Sequence, residues 1–180
     1  MRLDLCSPSR SELCNRVRDE IEAALPSVRV REVAGEQAAG ENTYSRNLQI
    51  SETVTRNGLL RDWVILSPDV VVIDRETDDD VAVVCCMPRL GASGQIPNGF
   101  LNLLGVHDAP CGVVTEEPSL TRLAKLAYEH PGITIFHTDL AHLEQELMKR
   151  NAGAAELLQT LESQDRIQGI QQIRNLVDAD

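Results

Sequence analysis

Lysine is nearly missing from this chain of 180 residues: only Lys125 and Lys149 stand beside 15 Arg, and the 17 bases face 28 acids for a net charge of -11. An acidic surface repels a polyanion over roughly 8 Å at physiological salt, so the composition argues against strong sequence-independent nucleic-acid binding. The imbalance is uneven. Up to Asp62 nine Arg meet ten acids, a net of -1, and the remaining residues carry eight bases against eighteen acids, a net of -10. Two routes around the repulsion stay open. A salt-loaded, halophilic cytoplasm would screen it, although codon usage in a GC-rich genome also favours Arg over Lys. Alternatively Arg10, Arg16, Arg18, Arg29, Arg31, Arg46, Arg56 and Arg61 gather on one face and make a local positive site.

Long apolar runs are missing too. Nothing approaches the roughly 18 residues that cross a bilayer, and the first 14 residues hold no apolar stretch of signal-peptide length, so no membrane association and a cytoplasmic location are expected. The five cysteines (Cys6, Cys14, Cys85, Cys86, Cys111) are odd in number and lack CxxC spacing, which excludes a disulfide framework and leaves reduced thiols. Neighbours on a strand face opposite ways, so Cys85 and Cys86 cannot together chelate one ion. Packing as small apolar residues is the simpler role, with a site of Cys85 or Cys86 and Cys111 as the alternative. A Cys85 nucleophile would need a His and a stabilised thiolate, which an apolar strand opposes. His107, His130, His137 and His142 lack zinc spacing, although His137 and His142 flank a helix start. Gly91, Gly94 and Gly99 make no phosphate-binding fingerprint. Repeats and long heptad runs are absent as well.

What is present suits one packed core, at 42% hydrophobic residues. Leu13, Val17, Ile21, Ala24 and Leu25 predict a helix over 11–25 with Ser11 as N-cap and Pro26 as stop. Val28, Val30 and Val33 alternate with charged residues and predict a strand. Residues 35–42 read as a polar loop, and 44–57 read as either strand or helix. Apolar runs at 63–66 and 70–73 predict strands buried on both faces. The turn 75–80 joins the second run to 81–87 as an antiparallel hairpin, and a loop follows, then a helix over 100–106. Residues 111–115, 119–130 and 132–137 form a βαβ unit with parallel strands, so the sheet is mixed. Thr138 or Asp139 caps the next helix. Residues 154–177 carry apolar residues at helical spacing (Leu157, Leu158, Leu161, then Ile167, Ile170, Ile173, Val177) and read as an amphipathic helical tail beyond the sheet. Two parts result: an α/β domain over 1–150 and a tail over 151–180, either part of that domain or an oligomerisation element.

The helix, the strand and the hairpin SPDVVVIDRETDDDVAVVCCMPRL, followed by GVVTEE and SLTRLAKLAYEHPGITIFHTDLAHLEQEL, resemble the restriction-endonuclease-like fold, the PD-(D/E)XK superfamily, in its Mrr-type and type I restriction amino-terminal branches. The likeness covers roughly residues 11–147. Pro131, Gly132, Ile133, Thr134, Ile135, Phe136, Asp139, Leu140 and Leu143 carry its second half. It implies a three-layer α-β-α architecture with a mixed central sheet, here with carboxy-terminal helices added. It also implies Asp69, preceded by Pro68, as catalytic and metal-binding carboxylate. Glu20 on the first helix takes the place of the family's helical acid, with Glu12 and Glu22 as competitors, and Gln95 matches a polar residue that some branches use. The ExK element is degenerate, because its Glu falls on Cys85 and its Lys on Met87.

A lone Asp holds Mg²⁺ weakly, and thiol and thioether are poor substitutes for hard oxygen. Without a Lys on that strand, nothing there offsets developing charge, a loss of roughly 3 kcal/mol where single donors have been deleted. The expectation is a catalytically degenerate domain without cofactor, acting as a nucleic-acid- or protein-binding assembly module, or as a homodimer through its carboxy-terminal helices. The alternative is a Mg²⁺-dependent DNA endonuclease with a rearranged site, using Glu20, Glu52, Asp62 or Asp74 near Asp69 and Arg61 or Arg89 for the lysine. A third role for Asp69 is to cap the turn before Val70, which needs no metal.

Overall fold

The computed structural model describes residues 8–32, 69–90 and 109–178. Helix α1 spans Pro8–Ala24 and begins before the expected cap, so Ser11 lies inside it. Proline suits the first turn, where its missing N–H has no helical partner to lose. Leu13, Cys14, Val17 and Ile21 form the buried stripe. Strand β1, Val28–Glu32, follows the stop at Pro26. Strands β2, Val70–Asp74, and β3, Asp80–Met87, make the expected antiparallel hairpin, with a register shift between Val72 and Ile73. Asp78, in the left-handed conformation that Asp tolerates better than most residues, turns the chain between them.

The parallel half then follows: β4, Cys111–Thr115, helix α2, Leu120–Glu129, and β5, Ile133–His137. Helix α3, Leu140–Arg150, begins where Asp139 accepts the His142 N–H, so of the two expected caps Asp139 is the one used. Helix α4, Ala152–Ser163, continues to a short strand β6, Ile167–Gly169, and a closing 3-10 helix, Ile170–Leu176.

All six strands lie side by side in chain order. The β1–β2 and β2–β3 pairs are antiparallel, and β3 to β6 are parallel. Alternation divides the core between two faces. Val71, Ile73, Val83, Cys85, Val113, Ile135 and Ile167 pack with Leu123 and Leu126 of α2, Leu143 of α3, and Leu158 and Leu161 of α4. Val70, Val72, Ala82, Val84, Cys86, Val114 and Phe136 pack with α1 and with Ile170, Ile173 and Leu176. Helices therefore cover both faces of a mixed sheet. The two described crossovers, α2 from β4 to β5 and α3 with α4 from β5 to β6, advance in one direction along the sheet, so right-handed connections place them on one face, and α2, α3 and α4 do share a face.

The tail differs from the sequence expectation. Residues 154–177 do not form one helix beyond the sheet, because Ile167 pairs with Ile135 and makes β6 the sixth strand. Asp165, at φ 53°, turns the chain out of α4. Helical spacing misled here, since Ile167 faces the α4 side whereas Ile170 and Ile173 face α1. A buried β5 needs hydrogen-bond partners on its open edge, and this outweighs helical periodicity. Gly112 admits the closing helix, since a Cβ there would lie 2.9 Å from Leu176 Cδ2 and 3.2 Å from Phe136 Cε2. The expected elements at 44–57, 63–66 and 100–106 lie outside the described residues, as do Cys6, Glu52, Arg61, Asp62, Gln95 and His107. Among the described residues no helix is long and apolar enough to cross a membrane.

Candidate functional site

Asp69 sits at the first residue before β2, where its N–H donates to the Val84 carbonyl at 3.0 Å. Antiparallel pairing thus brings its side chain to the carboxyl end of β3. A bidentate guanidinium meets it there. Arg10, in the first turn of α1, places Nη2 at 2.6 Å from Oδ1 and 2.8 Å from Oδ2, with Nε at 3.1 Å from Oδ1. The Cys86 N–H donates to Oδ2 at 2.6 Å. Both side chains are 14% exposed. Burial works against the Arg10 charge, but the field and hydrogen bonds of Asp69 outweigh it and raise the guanidinium pKa further.

Among the described residues, the other expected members of a cation site are not brought here. Glu20 is exposed on α1, ten residues past Arg10, which at the helical rise is roughly 15 Å along the axis. Glu12 is exposed, and Glu22 Oε1 accepts the Val30 N–H at 3.0 Å. Asp74 occupies the far end of β2, where Oδ1 accepts the N–H groups of Glu76 and Thr77 at 2.8 and 2.9 Å. Its carboxyl is held below the ordinary range by the backbone bonds from Thr77 and Glu76. Arg89 donates to the Glu116 carbonyl at 3.5 Å. Cys85 is buried against the α2 side, with Met87 at the border of that cluster.

The thiols of Cys85, Cys86 and Cys111 stay protonated near neutrality. Burial, then the negative charge of Asp69, pushes Cys85 well up; contact with the Cys14 thiol, then burial, does the same for Cys86. Burial brings Cys111 to about 11. Among the described residues no group of three or more His, Cys, Asp and Glu is arranged to hold a metal ion. Among the described residues, a divalent cation implied by the resemblance therefore does not fit: guanidinium and amide donors occupy the Asp69 carboxylate, and the Cys85 thiol stands where the resemblance needs an oxygen.

A second polar group lies along the same sheet edge, at the ends of β4 and β5. Thr115, Glu117 and His137 are the buried polar or charged side chains among the described residues. Glu117 Oε2 accepts the Leu90 N–H at 3.0 Å and Arg122 Nη1 at 3.4 Å, and Oε1 accepts the Ser119 N–H at 3.0 Å. Thr115 Oγ1 accepts the Glu117 N–H at 3.0 Å. His137 Nδ1 accepts the Asp139 N–H at 3.1 Å, which leaves the proton on Nε2 to donate to the Glu117 carbonyl at 3.1 Å. A cleft of about 610 Å³ opens beside this ring, lined among others by Arg16, Glu116, Asp139, His142 and Arg150. With both nitrogens committed, His137 serves as wall rather than proton carrier. Sequence reading named His137 and His142 without finding a shared ligand, and the role of Glu117 was missed. A buried acid between a strand end and a helix start leaves no periodic signal.

His137 gives the domain an acid-sensitive element. Burial lowers its pKa from 6.5, against the opposing pull of its bond to Glu117 and the charge of Asp139. Above pH 6.5 the ring is neutral in folded and unfolded chains, and stability is full. Below it the unfolded chain takes the proton first, so stability falls as pH drops towards the folded-state value. His137→Gln removes this contribution. Urea unfolding at successive pH values should show the wild type losing ground to His137→Gln below pH 6.5; parallel curves would refute the assignment.

Compared with known proteins, the chain matches no family model, no curated protein and no solved structure.

Proposed function

We propose that the chain is a restriction-endonuclease-like domain that has lost catalysis and acts as a binding or assembly module. One observation carries the reading: Asp69, which the resemblance gives to the metal, spends both oxygens on Arg10 and the Cys86 amide. The guanidinium supplies the positive charge that a cation would otherwise bring, and it fixes α1 to the sheet. The antiparallel β1–β2 and β2–β3 pairs after α1, with a parallel β4 beside β3, are compatible with the three-layer α/β architecture that the resemblance implies.

A protein partner is favoured over nucleic acid. The Arg-rich first third of the chain offers a candidate basic face, but among its described residues Arg10, Arg16, Arg18 and Arg29 each hold an acidic partner: Asp69, Glu116, Glu32 and Asp78. Such pairs leave little unbalanced positive charge to release counterions from a phosphate backbone. Because β6 and the closing helix are built into the body, a partner of the carboxy-terminal elements would meet only their outer surfaces.

The test is cleavage. Purified protein with Mg²⁺ or Mn²⁺, at low and at molar salt, is offered plasmid, linear and branched DNA beside an Asp69→Asn variant shown to be folded by circular dichroism. No cutting is expected from either, and no rise in unfolding temperature with Mn²⁺. Cutting by the wild type that vanishes in Asp69→Asn would overturn the proposal in favour of a DNA endonuclease with a rearranged site.

A further inference from the structure

We propose that Cys14 and Cys86 form a redox pair, and that a two-electron oxidant of the peroxide class joins them in a disulfide fastening α1 to β3. Placement comes from the polar link above them. Arg10 lies one helical turn before Cys14, on the same side of α1, and is tied through a single carboxylate to the amide of Cys86, with contacts of 2.8 and 2.6 Å. Below that link both residues belong to one apolar cluster, alongside Leu13, Val17, Val84 and Val114. Cys14 from the helix and Cys86 from the strand thus meet in the same helix–sheet interface. Cys85, the neighbour in sequence, faces the opposite side of the sheet.

The two positions also differ in access. Cys14 is 8% exposed and Cys86 is 0%. Peroxide reaches Cys14 first: the sulfur attacks one peroxide oxygen, the O–O bond breaks, and a sulfenic acid and one water form. The Cys86 sulfur then displaces the sulfenic oxygen, forming the S–S bond and releasing a second water, so two thiol protons and two electrons leave with the oxidant. Burial of both sulfurs limits the access of peroxide and makes the first step slow. Once formed, the bond closes the chain between residues 14 and 86, a long loop whose restraint acts on the unfolded state. The consequence is a domain whose first helix is clamped under oxidising conditions and held by packing and the Arg10–Asp69 pair when reduced.

Native protein is incubated with millimolar hydrogen peroxide at mildly alkaline pH over hours, then alkylated and mapped by mass spectrometry. A linked peptide pair containing Cys14 and Cys86 is expected, with loss of two hydrogens from the intact mass, reversal by dithiothreitol, and an unfolding midpoint raised on the order of 10 °C. Neither the linkage nor the rise should appear in Cys14→Ser. Linkage through Cys6, Cys85 or Cys111, oxygen gain without linkage, or an unchanged mass would each overturn the proposal. The wild-type peptide map decides it even if the variant fails to fold.

Discussion

Replacing Asp69 with Ala lowers the unfolding free energy by about 3 kcal/mol, among the largest losses expected from any single polar side chain of this domain. The variant leaves the Arg10 guanidinium 14% exposed with no carboxylate, and leaves the Cys86 N–H without its acceptor beside a core strand. An exposed ion pair would contribute well under 1 kcal/mol, so burial and bidentate geometry set the magnitude. Arg10→Ala should cost a similar amount for the mirror-image reason. The double change Arg10→Met with Asp69→Leu should recover the part of the loss due to the unpaired guanidinium, because an apolar pair has no charge to desolvate, whereas the Cys86 N–H stays without its acceptor. Urea unfolding of the four proteins measures each loss and the recovery. Near wild-type stability in Asp69→Ala would mean that the pair does not hold α1 to the sheet, and the structural role given to Asp69 would fail with it.

Glu117→Ala should cost about 3 kcal/mol by another route. Glu117 is 1% exposed, and its two oxygens gather the amides of Leu90 and Ser119 and the guanidinium of Arg122. Three segments meet there: the chain leaving β3, the turn after β4 and the start of α2. Alanine strands two amides, one of them buried, at roughly 1–3 kcal/mol for each group left unsatisfied. Glu117→Gln should fall between, since its amide keeps one acceptor oxygen and points a donor at the other N–H. Hydrogen exchange at the Leu90 amide gives a local readout and should quicken in Glu117→Ala. Unchanged protection at Leu90 would show that the side chain does not hold that strand end.

Most of the sheet was legible in the sequence. Continuous apolar runs and β-branched alternation located β2 to β5, and the short helical stretch between two strand signals implied the parallel pair, because local patterning reports burial directly. The α1 start was missed by a few residues, since Ser11 and Pro8 both carry start signals and only packing chooses between them. The tail was misread for a similar reason. Ile167, Ile170 and Ile173 keep helical spacing, and whether Ile167 extends a helix or adds a strand depends on the open edge of β5, far away in sequence.

For the site, the chain itself determined which chemistry is missing. Cys85 and Met87 carry no hard oxygen and no cation whatever the fold does with them, and the Lys-poor, acid-rich composition is likewise fixed before folding. What Asp69 touches was decided only by tertiary structure. Arg10 is one arginine among 15 in the sequence. It becomes the partner of Asp69 because α1 packs across the sheet with its first turn over the end of β3. Pairing across 59 residues follows from burying Leu13, Val17 and Ile21, an apolar requirement that carries the guanidinium to the carboxylate.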